Sequence, residues 1–213
     1  QESAGLNILT DGEQRRRHYI WGFVEGLTGL DFSRLVEIET RGNRYGIKVK
    51  AARVVEPLRR PRSILVDALR FMKQHTTKAI KVTLPGPMTT ADTVADEYYG
   101  DRKKLANELA QILNEEACEL ADNGCDIVQF DEPCFNIYLD DVEEWGIQAL
   151  ERCVQGVQAK TAVHICYGYG IPAVLEWKSK NTDWGHYGRT LPLLRTSTID
   201  MVSVECAASG VDP

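Results

Sequence analysis

Residues 104–133 read KLANELAQILNEEACELADNGCDIVQFDEP, and this stretch predicts a helix, its end and a buried strand in succession. Apolar side chains recur with the period of a helix over residues 104–123. Asn123-Gly124 then ends the helix, because glycine readily adopts the left-handed conformation that often follows a last helical turn. Residues 126–130 contain Ile127, Val128 and Phe130, an apolar content typical of strands covered on both faces. The stretch is therefore typical of a helix that leads into a parallel strand.

The same alternation extends along the rest of the chain. Strands are predicted at residues 6–10, 79–84, 126–130, 162–166 and 201–205. A second helix is predicted at residues 142–157, and shorter helical pieces around Leu175 and at residues 191–194. This order predicts an α/β fold with parallel strands joined by helices. We expect one partial (β/α)8 TIM-barrel domain over residues 1–213, incomplete at both ends because strands can be counted for only part of a barrel.

One segment departs from this alternation. Residues 36–39 and 47–55 have the composition of strands, and they flank the turn signal Gly42-Asn43. The pattern predicts a β-hairpin that leaves the alternating chain.

The composition limits the classes of partner. The 213 residues are 43% hydrophobic and 26% charged, as in an ordinary globular protein, and the formal net charge of -6 argues against nucleic acid as a partner. The arginines at positions 15–17 and at 59, 60 and 62 are local exceptions, interpreted as solvated surface, with a site for an anionic group as the alternative. No stretch reaches the roughly 20 consecutive apolar residues of a membrane span. The six cysteines are expected to be reduced thiols, and the protein is expected to be cytoplasmic.

Reactive side chains follow the apolar strands at their C-terminal ends. They lie in Thr10-Asp11-Gly12-Glu13, Gln129-Phe130-Asp131-Glu132-Pro133, His164-Ile165-Cys166-Tyr167-Gly168 and Val204-Glu205-Cys206. Barrel enzymes build their active sites at this face. The sequence therefore predicts one site shared by several strand ends.

His164 and Cys166 are two residues apart on a predicted strand, so the pleat directs both side chains to one face. Imidazole and thiolate together favour Zn²⁺, and Glu205 at the end of the next strand is a plausible third ligand. A His and a Cys buried in the core remain the alternative. A carboxylate such as Glu205 at the end of an apolar strand needs a cation or a donor as a partner.

Other positions allow two interpretations. Asp131 and Glu132 could form an acid/base pair, as in glycosidases, or could cap a helix and bind loop amides. Gly86-Pro87 is a turn, or a place where the backbone approaches a ligand closely. The thiols of Cys118, Cys125 and Cys153 are expected to be inert in the core, whereas a metal or redox role stays open for two others, Cys134 and Cys206.

Taken together, these segments resemble the catalytic C-terminal barrel of the cobalamin-independent methionine synthase family, in a short single-barrel form. The matching pieces are Asp11-Gly12-Glu13, Leu84-Pro85-Gly86-Pro87-Met88-Thr89, Gln129-Phe130-Asp131-Glu132-Pro133, His164-Ile165-Cys166-Tyr167-Gly168 and Val204-Glu205. The resemblance runs along essentially the whole chain. Order and spacing make the set specific, although each piece alone is not.

The resemblance implies a zinc-dependent methyltransferase that methylates the thiol of homocysteine to form methionine. It implies His164, Cys166 and Glu205 as zinc ligands, and Glu13 and Asp131 as the carboxylates that hold the amino group of homocysteine. Coordination to zinc deprotonates a thiol and leaves its sulfur nucleophilic. Two carboxylates would fix the ammonium group and orient the sulfur toward the methyl donor.

The chain departs from the family pattern at several points. The family's fourth zinc ligand, a cysteine, and its proton-transfer histidine are expected after Pro213, and its Gly-Ser turn for the homocysteine carboxylate is expected before Gln1. Residues 90–93 replace the tryptophan that contacts folate in full-length members. The methyl donor is therefore left open between methyltetrahydrofolate and a methylcorrinoid.

Three alternatives keep the metal but change the function. They are methylation of another thiol of the coenzyme M type, a tetrapyrrole-acting barrel, and a non-catalytic zinc-binding subunit. Glu13 and Asp131 discriminate among the acceptors, because a thiol without an amino group gives these carboxylates no cation to bind.

Overall fold

The computed structural model describes residues 1–207 and 209–212. Its strands are β1 (Ile8–Leu9), β2 (Thr28–Glu39), β3 (Lys48–Arg59), β4 (Ala79–Pro85), β5 (Ala95–Asp96), β6 (Ile127–Asp131), β7 (Lys160–Ile165) and β8 (Met201–Val204). Its helices are α1 (Trp21–Val24), α2 (Val66–Lys73), α3 (Pro87–Ala91), α4 (Arg102–Asp122), α5 (Leu139–Asp141), α6 (Ile147–Val154), α7 (Pro172–Lys180) and α8 (His186–Leu194). None of the helices in these two ranges is long and apolar enough to cross a membrane.

The main sheet has five strands in the order β1-β4-β6-β7-β8, and every neighbouring pair is parallel. Each successive strand of this sheet adds to the same side, as in a barrel, whereas a doubly wound sheet reverses its order. The five predicted strands are these five, which confirms the α/β class. The sheet as described is part of a barrel.

The register brings strand ends to one level. Asp131 of β6 is the partner of His164 of β7, and His164 is the partner of Ser203 of β8. Neighbouring strands lie about 4.8 Å apart, so side chains at this level can reach a common space. The register thus positions the predicted site at the C-terminal edge of the sheet.

Helix α4 forms where the sequence predicts it, and its ends have clear causes. The Asp101 carboxylate accepts hydrogen bonds from the backbone N–H groups of Lys103 (2.8 Å) and Lys104 (3.2 Å), which caps the first turn. At the other end Gly124 has a φ of 81°, the left-handed conformation expected of the Asn123-Gly124 pair. Its buried face belongs to a core cluster that also contains Val128 and Phe130 of β6 and Val163 and Ile165 of β7.

Two predicted elements have different bounds in the structure. Strand β1 pairs only at Ile8 and Leu9, because it lies at the sheet edge with one parallel neighbour, β4. The helix predicted at residues 142–157 begins with a π-helical turn, Val142–Gly146, and continues as α6 only to Val154. A Cβ at Gly146 would lie 2.8 Å from Met88 Cε, so glycine lets this turn pack against α3.

The predicted hairpin is confirmed, with longer strands than expected. Strands β2 and β3 pair antiparallel, and β5 adds to β3 as a parallel third strand. Arg53 of β3 forms ion pairs with Asp31 of β2 and with Glu97 beside β5. These contacts hold the hairpin as a separate small sheet whose tip reaches the candidate site.

The expectation that both arginine groups are solvated is wrong for two of their members. The Arg16 side chain is 6% exposed and donates to the carbonyl and hydroxyl of Thr83 at 3.0 Å each. Arg60 donates to the buried Glu116 carboxylate at 2.8 Å. Both guanidinium groups lie inside the fold because acceptors, Thr83 for Arg16 and Glu116 for Arg60, are within reach there.

Candidate active site

A cavity of about 560 Å³ opens at the C-terminal edge of the parallel sheet. Its wall includes all five residues that the sequence nominates: Glu13, Asp131, His164, Cys166 and Glu205. They arrive from the ends of β1, β6, β7 and β8, so the fold brings together positions as far apart as 13 and 205. The roof comes from the β2–β3 hairpin and from the loop after β1.

His164 and Cys166 face this cavity from one side of β7, as their spacing predicts. Ile165 between them is fully buried behind the sheet. The Nδ1 atom of His164 lies 3.0 Å from Ser203 Oγ, which leaves Nε2 for another partner. Burial lowers the pKa of His164, with the Lys81 ammonium adding to the effect, and burial raises the pKa of the Cys166 thiol. In this environment the pair therefore favours a neutral imidazole and a protonated thiol.

Glu205 reaches the same cavity, but its carboxylate is already paired. Oε2 accepts from Lys178 Nζ at 3.2 Å and from the Tyr167 N–H at 3.4 Å, while Oε1 accepts from the Ser209 N–H at 2.9 Å. Over residues 1–207 and 209–212, no group of three or more His, Cys, Asp or Glu side chains is placed to hold a metal ion. The predicted ligands thus share one cavity without forming a coordination group.

Glu13 sits in a tight turn after β1. Its backbone has a φ of 59° and follows Gly12 at 62°, so two consecutive residues are left-handed. The Asp11 carboxylate holds this turn by accepting from the Glu13 N–H at 2.9 Å. The Glu13 carboxylate accepts from the Thr83 hydroxyl at 2.8 Å. The turn therefore holds the Glu13 carboxylate at the cavity.

Asp131 is the strongly perturbed carboxyl group of the cavity wall. Burial, above all, raises the pKa of Asp131 to about 6, and the negative charge of Glu13 adds to the rise. Gln129 opposes this rise in the pKa by donating to Asp131 Oδ1 at 2.7 Å. Lys81 in turn donates to the Gln129 amide oxygen at 2.8 Å. Glu13 and Asp131 thus form a pair of neighbouring carboxyl groups in the cavity wall, with Arg16 Nη2 3.5 Å from Glu13 Oε1.

Glu132 faces away from the cavity. Its carboxylate accepts from the N–H groups of Met88 (2.8 Å) and Thr89 (3.0 Å) at the start of α3, and burial raises its pKa to about 7. Glu132 therefore caps α3, which is one of the two roles that the sequence allowed. Because its carboxylate faces away from the cavity that Asp131 lines, the two residues do not form an acid/base pair. A Cβ at Gly86 would lie 2.2 Å from Glu132 Cδ. The close approach at Gly86-Pro87 is thus to a protein side chain.

Sequence reasoning missed Arg41, which lines the cavity from the hairpin tip. Arg41 has a φ of 56° and donates through its backbone N–H and Nη1 to Asp92 Oδ2, at 2.8 Å each. Tyr138 donates its hydroxyl to Asp92 Oδ1 at 2.5 Å. The sequence gives little indication of this role of Arg41, because its partner Asp92 lies 51 residues away and only tertiary packing brings the two together.

The cysteines have mixed environments. Cys125 and Cys153 are buried and Cys118 is half-buried, and burial raises the pKa of all three thiols. Cys134 is fully buried beneath Arg41, whose Nη1 donates to its sulfur at 2.8 Å. Cys134 and Cys206 are absent from the described wall of the cavity. All six cysteines are free thiols.

Comparison with known proteins identifies the relatives of this chain. The model of the family described as "Cobalamin-independent synthase, Catalytic domain" matches residues 1–175. Methionine synthase of Sulfurisphaera tokodaii is 36% identical over 168 residues, and that of Saccharolobus solfataricus 37% identical over 166 residues. Each alignment covers 78% of this chain and 48% of the relative, so the chain spans about half the length of these relatives.

A solved structure agrees with these relatives. The B12-independent methionine synthase of Shewanella sp. W3-18-1, in complex with selenomethionine, superposes with a TM-score of 0.94 at 47% identity. The match covers 100% of this chain and 62% of that protein. With the family model covering most of the chain, the protein belongs to the cobalamin-independent synthase catalytic-domain family.

Proposed function

We propose that the protein is a zinc-dependent methyltransferase that transfers a methyl group to the thiol of homocysteine and so forms methionine. The observation that carries the proposal is a cavity whose wall contains the carboxylates of Glu13, Asp131 and Glu205 together with His164 and Cys166. Family membership and the methionine synthase names of the relatives support the reaction. The Shewanella protein, named as a complex with selenomethionine, supports a product of this size and shape.

The donor set fits zinc by its chemistry. Imidazole nitrogen, thiolate sulfur and carboxylate oxygen are the ligands zinc prefers, and three of them leave a position free for a substrate. The Ser203 hydroxyl beside His164 Nδ1 is the kind of outer contact that orients a ligating imidazole. A bound zinc ion would supply deprotonation of the substrate thiol with retention of its nucleophilicity.

Glu13 and Asp131 would bind the ammonium group of homocysteine. An ammonium group would offset the repulsion between them, to which part of the raised pKa of Asp131 is due. Lys81 and Gln129 orient Asp131 from below the cavity, and Thr83 orients Glu13. These contacts would fix the amino acid so that its sulfur lies toward the proposed ligands on β7 and β8.

The remaining parts of the proposal concern the whole protein. We place residues 1–213 in one catalytic domain that forms part of a (β/α)8 barrel, which the sequential strand order supports. The free state of all six cysteines supports a reducing compartment such as the cytoplasm. The methyl donor is methyltetrahydrofolate or a methylcorrinoid.

The experiment is a methyl-transfer assay of the full chain with homocysteine and, in parallel, methyltetrahydrofolate and methylcobalamin. Product with either donor, lost on metal removal and restored by zinc, is the expected result. Asp131→Asn should weaken homocysteine binding about 10- to 100-fold, since it removes a charged hydrogen-bond acceptor, and should leave zinc content unchanged. Full activity of metal-free protein, or unchanged homocysteine affinity in the variant, would contradict the proposal.

A further inference from the structure

Lys178 is a buried lysine that the proposed reaction does not use. It lies on α7, and its side chain is only 7% exposed. Its ammonium group donates to Glu205 Oε2 and to the Gly168 carbonyl, at 3.2 Å each. Removing an ammonium group from water is unfavourable unless it gains a charged partner, and Glu205 provides one. The ion pair therefore accounts for the burial of both groups.

The same carboxylate is one of the proposed zinc ligands. Besides Lys178, it accepts hydrogen bonds from the N–H groups of Tyr167 and Ser209, so its orientation is set by the loop after β7 and by the segment after β8. His164 and Cys166 line the cavity next to it, yet the described residues contain no group placed to hold a metal. The ammonium group and a metal ion would compete for this one carboxylate, whose Oε2 accepts from Lys178 and whose Oε1 accepts from the Ser209 N–H.

We infer that Lys178 is a positioning residue that competes with the metal ion for Glu205. While the metal is absent, Lys178 neutralises Glu205 and keeps it folded into the wall. When the metal binds, Glu205 exchanges the ammonium group for the metal, and Lys178 keeps the Gly168 carbonyl as a partner. A lysine suits this exchange because its flexible stem carries three rotatable donors. The inference rests on the proposed metal site and not on the methyl-transfer reaction.

The inference predicts tighter metal binding when the competing charge is removed. Replacing Lys178 by a neutral residue leaves Glu205 without its counter-ion in the metal-free protein. We expect Lys178→Met and Lys178→Gln to bind zinc about 10- to 100-fold more tightly, the range of one lost charged hydrogen bond. The midpoint of thermal unfolding should fall without metal and should rise more than that of the wild type when zinc is added.

The measurement is the zinc dissociation constant of the full chain, obtained by competition with a chelator, together with thermal unfolding with and without zinc. Lys180→Met is the matched control, because Lys180 lies on the same helix in an exposed pair with Glu176. It should leave zinc affinity unchanged. Lys178→Arg keeps the charge and should lie closer to the wild type than the neutral variants.

The outcomes separate the two proposals. Zinc affinity that is unchanged or weaker in both neutral variants overturns the role of Lys178, even though the wild type binds zinc. A wild type that binds no zinc at all overturns the metal site itself. If Lys178→Met does not fold, Lys178→Gln, which keeps a donor for the Gly168 carbonyl, gives the same comparison.

Discussion

Asp131 shows how the burial of a single carboxyl group affects stability. Its pKa of about 6 lies above the value of about 4 expected in an unfolded chain, so the folded protein favours the protonated carboxyl group. The resulting stabilisation is fully present at low pH and is lost as the pH rises through about 6. At neutral pH the folded protein therefore contains a charged Asp131 carboxylate, although burial favours the protonated form.

Asp131→Asn should raise the free energy of unfolding at pH 8 by about 1–3 kcal/mol, because two pKa units correspond to roughly that difference. The amide oxygen of asparagine can still accept from Gln129. Denaturant unfolding without homocysteine at pH 8 and at pH 4 measures the effect, and the gain should vanish at pH 4. Asp140→Asn, an exposed partner of Arg189, is the control. A variant less stable than the wild type at pH 8 would contradict the electrostatic account of Asp131.

At the scale of elements, helix α3 and the end of β6 are joined by the Glu132 carboxylate. Gly86→Ala should destabilise the protein by about 1–3 kcal/mol, since the new methyl group would displace that buried carboxylate. The midpoint of urea unfolding measures this change. Gly188→Ala is the control, because nothing lies within 4 Å of its Cβ position and the residue is inside α8. Equal midpoints for Gly86→Ala and the wild type would refute the close packing.

The hairpin tip is held over the cavity by Asp92. Asp92→Ala should cost about 3–5 kcal/mol of stability, because it leaves the buried guanidinium of Arg41 without its carboxylate. It should also lower protection from hydrogen exchange in β2 and β3. Asp67→Ala, which removes an exposed pair with Arg70, should change stability by no more than about 1 kcal/mol. A loss for Asp92→Ala as small as that for Asp67→Ala would contradict this role.

The sequence predicts the helices and strands better than it predicts their exact bounds and the contacts between them. Period and turn residues are local signals, so they suffice to place α4, the five parallel strands and the hairpin along the chain. The length of β1 and the π-helical turn before α6 depend on neighbours that local patterns do not contain. The same holds for Arg16, whose acceptor Thr83 lies 67 residues away.

At the scale of the whole molecule, the parallel order of the strands is what gathers the site. Residues at strand ends meet at one edge, so the five nominated residues could be expected in one cavity from the strand pattern alone. What the sequence does not contain is the pairing inside that cavity. Lys178 lies 27 residues before Glu205, and only the folded α7 brings its ammonium group to that carboxylate.

X-ray absorption at the zinc edge, on the full chain with and without homocysteine, tests the central claim most directly. We expect the wild type to bind zinc with the Cys166 sulfur as the one sulfur ligand that residues 1–213 supply. When homocysteine is added, the zinc ion should gain one further sulfur ligand. Cys166→Ser should lose that protein sulfur, bind zinc more weakly and lose methyl transfer. A protein that binds no zinc, or a spectrum that neither Cys166→Ser nor homocysteine alters, would contradict the account.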